Sequence, residues 1–327
     1  MTQKIGLFGY GVVARGFHHA LNNNPHLNAM IKTICIKTAN KTRSIDANLF
    51  TTDEKLILED PEIDIVIELI DDAEVAYQLV KTALQKGKSV ISANKKMIAE
   101  HINEVAEWHH QYEATFLYEG AVAGSIPILQ NLNQFFGNQE ISSVRGILNG
   151  STNYILTEMR ESNLSFDEAL KLAQEKGFAE SDPTLDISGL DAMYKLIILA
   201  YHAFGICITD HSQIRLESIT NMEDQFYELA TAQGLKIKSI ATAYRKNGQI
   251  KLKVQPELVN SEDELFTVEN ENNAIVVDAD LSGKQLYYGK GAGSLPTGAA
   301  VIHDLALLLD GFRYNKSKGG NKLKKSA

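Results

Sequence analysis

Short apolar, β-branched runs alternate with helix-length amphipathic stretches over the first part of the chain. The runs are KIGLFG, IKTICIK, IDIVIEL, SVISAN and TFLYEG, and the stretches are 12–21, 73–85 and 97–111. Near-continuous apolar strands separated by helices predict a parallel sheet covered on both faces, since a parallel connection needs a crossover long enough to hold a helix. From about Ile126 the pattern changes to a helix through Phe136, a strand in SSVRGILNG, and helices after Ser151 and Ser165. Ser165 followed by Glu168 is a capping-box signature. Beyond Gly234, KIKSIATAYR, QIKLKVQPEL, NAIVVDADL and QLYYGKG alternate like antiparallel strands, the first two split by the turn KNGQ. A last helical stretch, 297–309, is expected to return to the first domain. The fold class is therefore α/β, with a doubly wound parallel sheet in 1–130 and 293–315 and an inserted α+β domain in 131–292. The lysine-containing tail, 316–327, reads as disordered.

Composition narrows the class of partner. The chain has 327 residues, 44% of them hydrophobic, enough for two domains with substantial cores, and a net charge of −9. That balance argues against nucleic acid, whose phosphates demand a cationic face. No apolar run reaches membrane-spanning length and the N-terminus has no signal-peptide pattern, so a cytoplasmic location is expected. Cys35 and Cys207 lie far apart in apolar contexts and read as buried thiols in a reduced compartment.

The first turn carries the earliest chemistry. In GLFGYGVVARG, Gly9, Gly11 and Ala14 have the spacing G-x-G-x-x-A after a strand and at the start of a helix. There Gly9 permits a tight turn, Gly11 lets a pyrophosphate approach the backbone, and Ala14 allows close helix packing. Lys37, Lys41 and Arg43 follow the second strand where an acidic residue would select NAD, a substitution that suits a 2′-phosphate and favours NADP(H) over NAD(H). Asn94 and Lys95 stand just after a buried strand, at the edge of the sheet that faces the ligand crevice. Lys96 is expected to face solvent. Further on, Asp191 and Lys195 are four apart in SGLDAMYKLIILAY, a helix apolar around most of its circumference, so the pair is expected to be partly buried. Glu180 and Asp186 are placed to meet a substrate cation, whereas Asp182 before Pro183 reads as turn chemistry.

Taken in order, GYGVVARG, IELI, ANKK, YEGAVAGSIPI, GILNGSTNYILTEM, GFAESDPTLDISGLDAMYKL and GKGAGSLPTGAAVIHDL resemble the homoserine dehydrogenase family, over nearly all of the chain to about Phe312. The resemblance implies a Rossmann domain with an inserted catalytic and dimerisation domain, and NAD(P)-dependent interconversion of L-aspartate 4-semialdehyde and L-homoserine in a homodimer. It implies proton transfer by Lys195 with Asp191 as acidic partner, and Lys95 as a second lysine at the substrate. Glu180, Asp186, Asp191 and Lys95 would bind substrate. Gly9, Tyr10, Gly11, Val12, Val13, Lys37, Arg43, Asn94, Lys95, Gly177, Glu180 and Gly291 would contact the dinucleotide. It also implies a structural monovalent cation, Na+, held largely by backbone carbonyls at Glu119, Val122, Gly124 and Ile126. Asp71 and Asp72 depart from the family's usual glycines after ELI, and Ser151 replaces a usual threonine. The chain ends too soon for the regulatory ACT domain of longer members, so feedback through it is not expected. Two other readings stay open on sequence: another NADP-linked oxidoreductase of an amino-acid aldehyde, and a dinucleotide-sensing regulator without catalysis.

Overall fold

The computed structural model describes residues 2–38, 45–222 and 224–314, less the side chains of 224, 225 and 231. Lys41, Arg43 and the lysine-containing tail lie outside the described residues. The described residues divide into two compact units, one made of the segment up to Pro127 together with that from Ala292 to Tyr314, the other running from Ile128 to Gly291.

In the first unit six strands form one sheet: β1 (Gln3–Phe8), β2 (Ala29–Cys35), β3 (Phe50–Thr51), β4 (Ile65–Glu68), β5 (Ser89–Ser92) and β6 (Phe116–Leu117). Their order is β3-β2-β1-β4-β5-β6, with every pairing parallel. This is the doubly wound arrangement the alternation predicted. Burial of Ile5, Leu7, Val66, Ile67, Val90 and Ile91 explains why these runs lack a polar alternation. The winding reverses between β1 and β4, and such a switch point opens a crevice at the carboxyl ends of the strands. Helix Val12–Asn22 leaves β1 and helix Ala73–Gln85 follows β4. Helix Ser294–Leu309 packs on helix Val12–Asn22, and the two approach so closely that a Cβ on Gly16 would lie 1.9 Å from the Ser294 carbonyl oxygen.

Three expectations need correction. The stretch 97–111 is not one helix: Lys95–Glu100 and Ile102–Gln111 meet at His101, whose ring stacks on Tyr77 with centroids 3.8 Å apart. A one-residue break leaves the apolar periodicity almost in phase, so the pattern alone could not reveal it. Of TFLYEG only Phe116–Leu117 is strand, because the chain turns at Tyr118 into a 3-10 turn, Glu119–Ala121. The helix expected from Ile126 begins at Ile128, as the residue before a proline is pushed out of the helical region and Pro127 follows Ile126.

The second unit is built on β7 (Ile141–Ile147), β8 (Arg215–Leu216), β9 (Lys236–Lys246), β10 (Gln249–Val259), β11 (Asn272–Ala279) and β12 (Gly283–Lys290), in the order β12-β11-β7-β9-β10-β8. All pairings are antiparallel except β10 with β8. Asn247 and Gly248, both at positive φ, make the tight turn between β9 and β10. Ser165 and Glu168 form the expected capping box on helix Phe166–Glu175. Helix Leu190–Phe204 packs against β7, β9 and β10 and is buried from Asp191 to Ala203. A helix apolar on nearly every side has no solvent face to offer, so the two charges it carries must be satisfied inside the protein.

Candidate active site

At the switch point the two glycines of G-x-G answer different demands. Gly9 has φ +87°, and a Cβ there would lie 2.5 Å from the Leu69 carbonyl oxygen, so both conformation and space require glycine. Gly11 is extended, at φ −84° and ψ −155°, and no atom lies within 4 Å of where its Cβ would be. Nothing within the described chain requires a glycine at this position. Gly11 is also the N-cap of helix Val12–Asn22 and makes no side-chain cap, whereas Asp72 and Asn94 cap their own helices through Val75 and Met97 N–H groups. An exposed, uncapped helix start beside a residue without a side chain suits an anion that approaches the backbone. Val12 is exposed and Val13 partly so, while Tyr10 donates to or accepts from His18 Nδ1 at 2.7 Å and packs edge-on to Phe50. Ala14 is fully buried.

Across the switch point, Asp72 has a structural reason to depart from glycine, since its Oδ1 accepts the Val75 N–H at 3.1 Å. Asp71 is exposed. Asn94 is buried, accepts from the Met97 N–H and donates from Nδ2 to the Ile70 carbonyl at 3.1 Å. Lys95 begins the next helix and is half-buried, while Lys96 is exposed and pairs with Glu100, the solvent orientation expected of it. Lys37 is exposed just beyond β2. Cys35 and Cys207 are half-buried rather than buried. Burial pushes the Cys35 thiol up to about 11, with Glu54 and Asp53 adding to the shift, so it stays protonated and unreactive at neutral pH.

In the second unit one cluster gathers three of the predicted residues. Lys195 Nζ lies 2.7 Å from Asp191 Oδ2 and donates to the Leu148 carbonyl at 2.7 Å, with both side chains about 8% exposed. Asn149 bridges the acids, its Nδ2 donating to Asp191 Oδ2 at 2.8 Å and to Asp186 Oδ1 at 2.7 Å. The same Asn149 caps helix Gly150–Glu161 through the Thr152 N–H, which locks its orientation. Burial raises the Asp186 carboxyl above its ordinary range and the Asp191 charge adds to this, while Asn149, Lys195 and Ser151 oppose it. An ammonium has three donors, and Leu148 and Asp191 take two of those of Lys195, leaving one N–H for an incoming oxygen.

The structure does not bring the remaining candidates into this cluster. Glu180 is exposed, and the hydrogen bond it makes is at its backbone carbonyl, which accepts from Gln174 Nε2. Gly177, at φ +76°, ends helix Phe166–Glu175: its N–H reaches the Gln174 carbonyl and that of Phe178 reaches Ala173, the paired bonds of a left-handed helix stop. Asp182 accepts from the Thr184 N–H and hydroxyl, as turn chemistry requires. Gly291 is buried against Asn273, whose Nδ2 would lie 1.9 Å from a Cβ there.

At the predicted cation segment Glu119, Val122 and Ile126 are buried and Gly124 turns through φ +52°. Among the described residues the carbonyls of Val122, Gly124 and Ile126 accept no hydrogen bond. Buried carbonyls of this kind fit a hard cation. The Glu119 N–H donates to Asp304 Oδ2 at 2.8 Å, and burial followed by the Glu119 charge holds the Asp304 carboxyl well above its usual range. Among the described residues no group of three or more His, Cys, Asp or Glu is placed to hold a metal, and no helix is long and apolar enough to cross a membrane.

A doubly wound parallel sheet with this glycine turn, together with a unit carrying a buried lysine–aspartate pair, defines a nicotinamide-dinucleotide-dependent oxidoreductase. Comparison with known proteins is specific. Residues 9–119 match the homoserine dehydrogenase NAD binding domain and residues 127–306 the homoserine dehydrogenase family. A homoserine dehydrogenase of Bacillus subtilis is 34% identical over 319 residues, spanning 95% of this chain and 73% of the relative. The solved structure of a homoserine dehydrogenase from Thiobacillus denitrificans superposes with a TM-score of 0.89 at 36% identity, over 94% of this chain and 73% of that one. A hyperthermophilic archaeal homoserine dehydrogenase mutant, solved in complex with NADPH, shares the fold at 23% identity and a TM-score of 0.81, over 96% of this chain and 100% of that one. The chain belongs to the homoserine dehydrogenase family, oxidoreductases that interconvert L-aspartate 4-semialdehyde and L-homoserine in amino-acid biosynthesis.

Neither Asn149 nor the Leu148 carbonyl stands out by residue type. Asn149-Gly150 ahead of an apolar helix is a cap signature, the local signal that marks Asn149. The Leu148 carbonyl had none, because a backbone oxygen carries no residue identity.

Proposed function

We propose that this chain uses NADPH in preference to NADH to reduce L-aspartate 4-semialdehyde, with Lys195 as proton donor. The observation that carries the reading is the buried Lys195 ammonium, two of whose N–H groups are held by the Leu148 carbonyl and Asp191. When bound, the reduced dinucleotide supplies a hydride to the aldehyde carbon. Lys195 gives a proton to the oxygen as it becomes an alkoxide, and in the reverse direction takes it from the hydroxyl. Asp191 fixes the direction of the ammonium and balances its charge, and Asn149 holds Asp191 in turn. Asp186 faces the same cluster and meets the substrate ammonium, with Glu180 and Lys95 as further substrate contacts.

Gly9, Tyr10, Gly11, Val12 and Val13 serve the pyrophosphate, with Asn94 and Lys95 at the edge of the same sheet, and the family resemblance adds Gly177, Glu180 and Gly291 as dinucleotide contacts. Exposed Lys37 is positioned in sequence for a 2′-phosphate, which supports NADPH. The archaeal relative, a mutant solved in complex with NADPH, is consistent with a dinucleotide site in this fold. Na+ would be held by the carbonyls of the Glu119–Ile126 segment, in a cytoplasmic homodimer. Measuring dinucleotide oxidation with L-aspartate 4-semialdehyde tests the reading: kcat/KM with NADPH should exceed that with NADH, and equal or reversed values would refute the preference. Sedimentation of the purified chain tests the dimer.

Asp186 gives a second check. Its raised carboxyl takes up a proton at higher pH than an ordinary aspartate. As pH falls, the counter-ion for the substrate ammonium is lost early and KM for L-homoserine should rise. In Asp186→Asn, KM should be raised about tenfold at every pH, reflecting one lost charged hydrogen bond. A variant that kept the acid-side rise would show that another group causes it.

A further inference from the structure

Four side-chain hydrogen bonds close a ring at the carboxyl ends of β4 and β5. Glu68 Oε1 accepts the Ile70 N–H at 2.7 Å, and the Ile70 carbonyl accepts from Asn94 Nδ2 at 3.1 Å. The Asn94 N–H donates to Ser92 Oγ at 3.0 Å, and Ser92 Oγ donates to Glu68 Oε2 at 2.5 Å. Glu68 and Ser92 are fully buried and Asn94 is 9% exposed. A carboxyl at the end of a buried strand carries a desolvation cost that an apolar residue would avoid, so its retention calls for a specific use.

The ring has two ends that matter. On one side it holds Leu69 and Ile70, and the Leu69 carbonyl is the atom nearest to a Cβ on Gly9. On the other it fixes Asn94, whose Oδ1 caps the helix that starts at Lys95. We infer that Glu68 is a positioning residue for the dinucleotide: its carboxyl ties the loop after β4 to the loop after β5 and so sets the shape of the lip on which Asn94 and Lys95 stand. The inference rests on reading this crevice as the dinucleotide site.

Burial pushes the Glu68 carboxyl up to about 7, the Asp71 charge adds to this, and the bonds from Ser92 and Ile70 oppose it. Protonated and ionised forms can both close the ring, because the Ser92 hydroxyl can reverse its direction and accept from the carboxylic acid instead of donating to it. Glutamine has the shape of the protonated form. Its oxygen can accept the Ile70 N–H and its amide can donate to Ser92, so it should preserve the ring, whereas alanine cannot.

The test compares the full-length chain with Glu68→Ala, Glu68→Gln and Ser92→Ala, each normalised to folded protein. NADPH dissociation constants come from quenching of intrinsic fluorescence and KM values from steady-state kinetics. Glu68→Ala and Ser92→Ala should each raise Kd and KM for NADPH about tenfold, and Glu68→Gln should stay within about threefold of the parent, as expected for loss or retention of a buried bonded group. A purely structural role would lower the yield or the melting temperature and leave the NADPH KM of the folded fraction unchanged, which would overturn the inference. Glu68→Gln as impaired as Glu68→Ala would overturn it too. If Glu68→Ala does not fold, Ser92→Ala decides, because it removes a hydroxyl that serves two of the four bonds at little change in volume. Failure of the parent chain itself to bind NADPH or NADH would instead refute the dinucleotide reading.

Discussion

Lys195→Ala is expected to lower kcat by about 10³-fold, the usual contribution of a positioned general acid, while the Kd for NADPH stays at the parent value. The Asp191–Lys195 pair is buried on a helix with no solvent-facing side, so the ammonium cannot be replaced by a neighbouring surface cation. Removing it takes the paired ammonium away from the buried Asp191 carboxylate, so the melting temperature should also fall. Kinetics must therefore be measured on protein shown to be folded. Lys195→Arg separates charge from proton transfer. A guanidinium keeps the positive charge and can still pair with Asp191, but it does not release a proton at accessible pH, so turnover should remain low even if stability recovers. Turnover in Lys195→Ala within tenfold of the parent would remove the lysine from the chemistry and leave the cluster a structural ion pair.

Much of the arrangement around this lysine is legible in the sequence, and the limits are physical. The four-residue spacing of Asp191 and Lys195 in an apolar helix implied a buried pair, because helix periodicity fixes which residues share a face. The parallel sheet follows from β-branched runs alternating with helices, and the glycine turn from its place after β1, whereas the strand order is seen only in the structure. What could not be read were contacts between residues distant in sequence, such as Asn149 with Asp186 and Asp191, or Glu68 with Ser92. The Glu68–Ser92 pairing depends on strand register and those of Asn149 on how helix starts pack together, and no local pattern encodes either. Glu180 and Gly177 show a different limit. Their place in a loop rich in carboxylates suggests ligand contacts, and the structure adds a helix-stop role for Gly177 and an exposed side chain for Glu180 that residue type does not announce. Asp72 likewise has a capping reason for replacing a glycine that sequence comparison alone would count as a defect.

Gly11→Val should raise the KM and Kd for NADPH by about 100-fold with little change in melting temperature, as an added side chain blocks the approach of a pyrophosphate to the helix start. The chain itself has no objection to the substitution: Gly11 is extended and its Cβ would meet no atom within 4 Å. Gly9→Ala is the necessary contrast. At φ +87° and 2.5 Å from the Leu69 carbonyl oxygen, a Cβ there strains the backbone and collides with the neighbouring loop, so this variant should lose stability as well as binding. The two substitutions thus separate a position where the fold requires glycine from one where the described chain does not. Normal NADPH affinity in Gly11→Val would mean that the pyrophosphate does not pass over this turn, and the uncapped start of helix Val12–Asn22 would then need another explanation. Loss of binding with an unchanged melting curve would place the negative charge of the dinucleotide at those free amides, because the substitution alters no other part of the described structure.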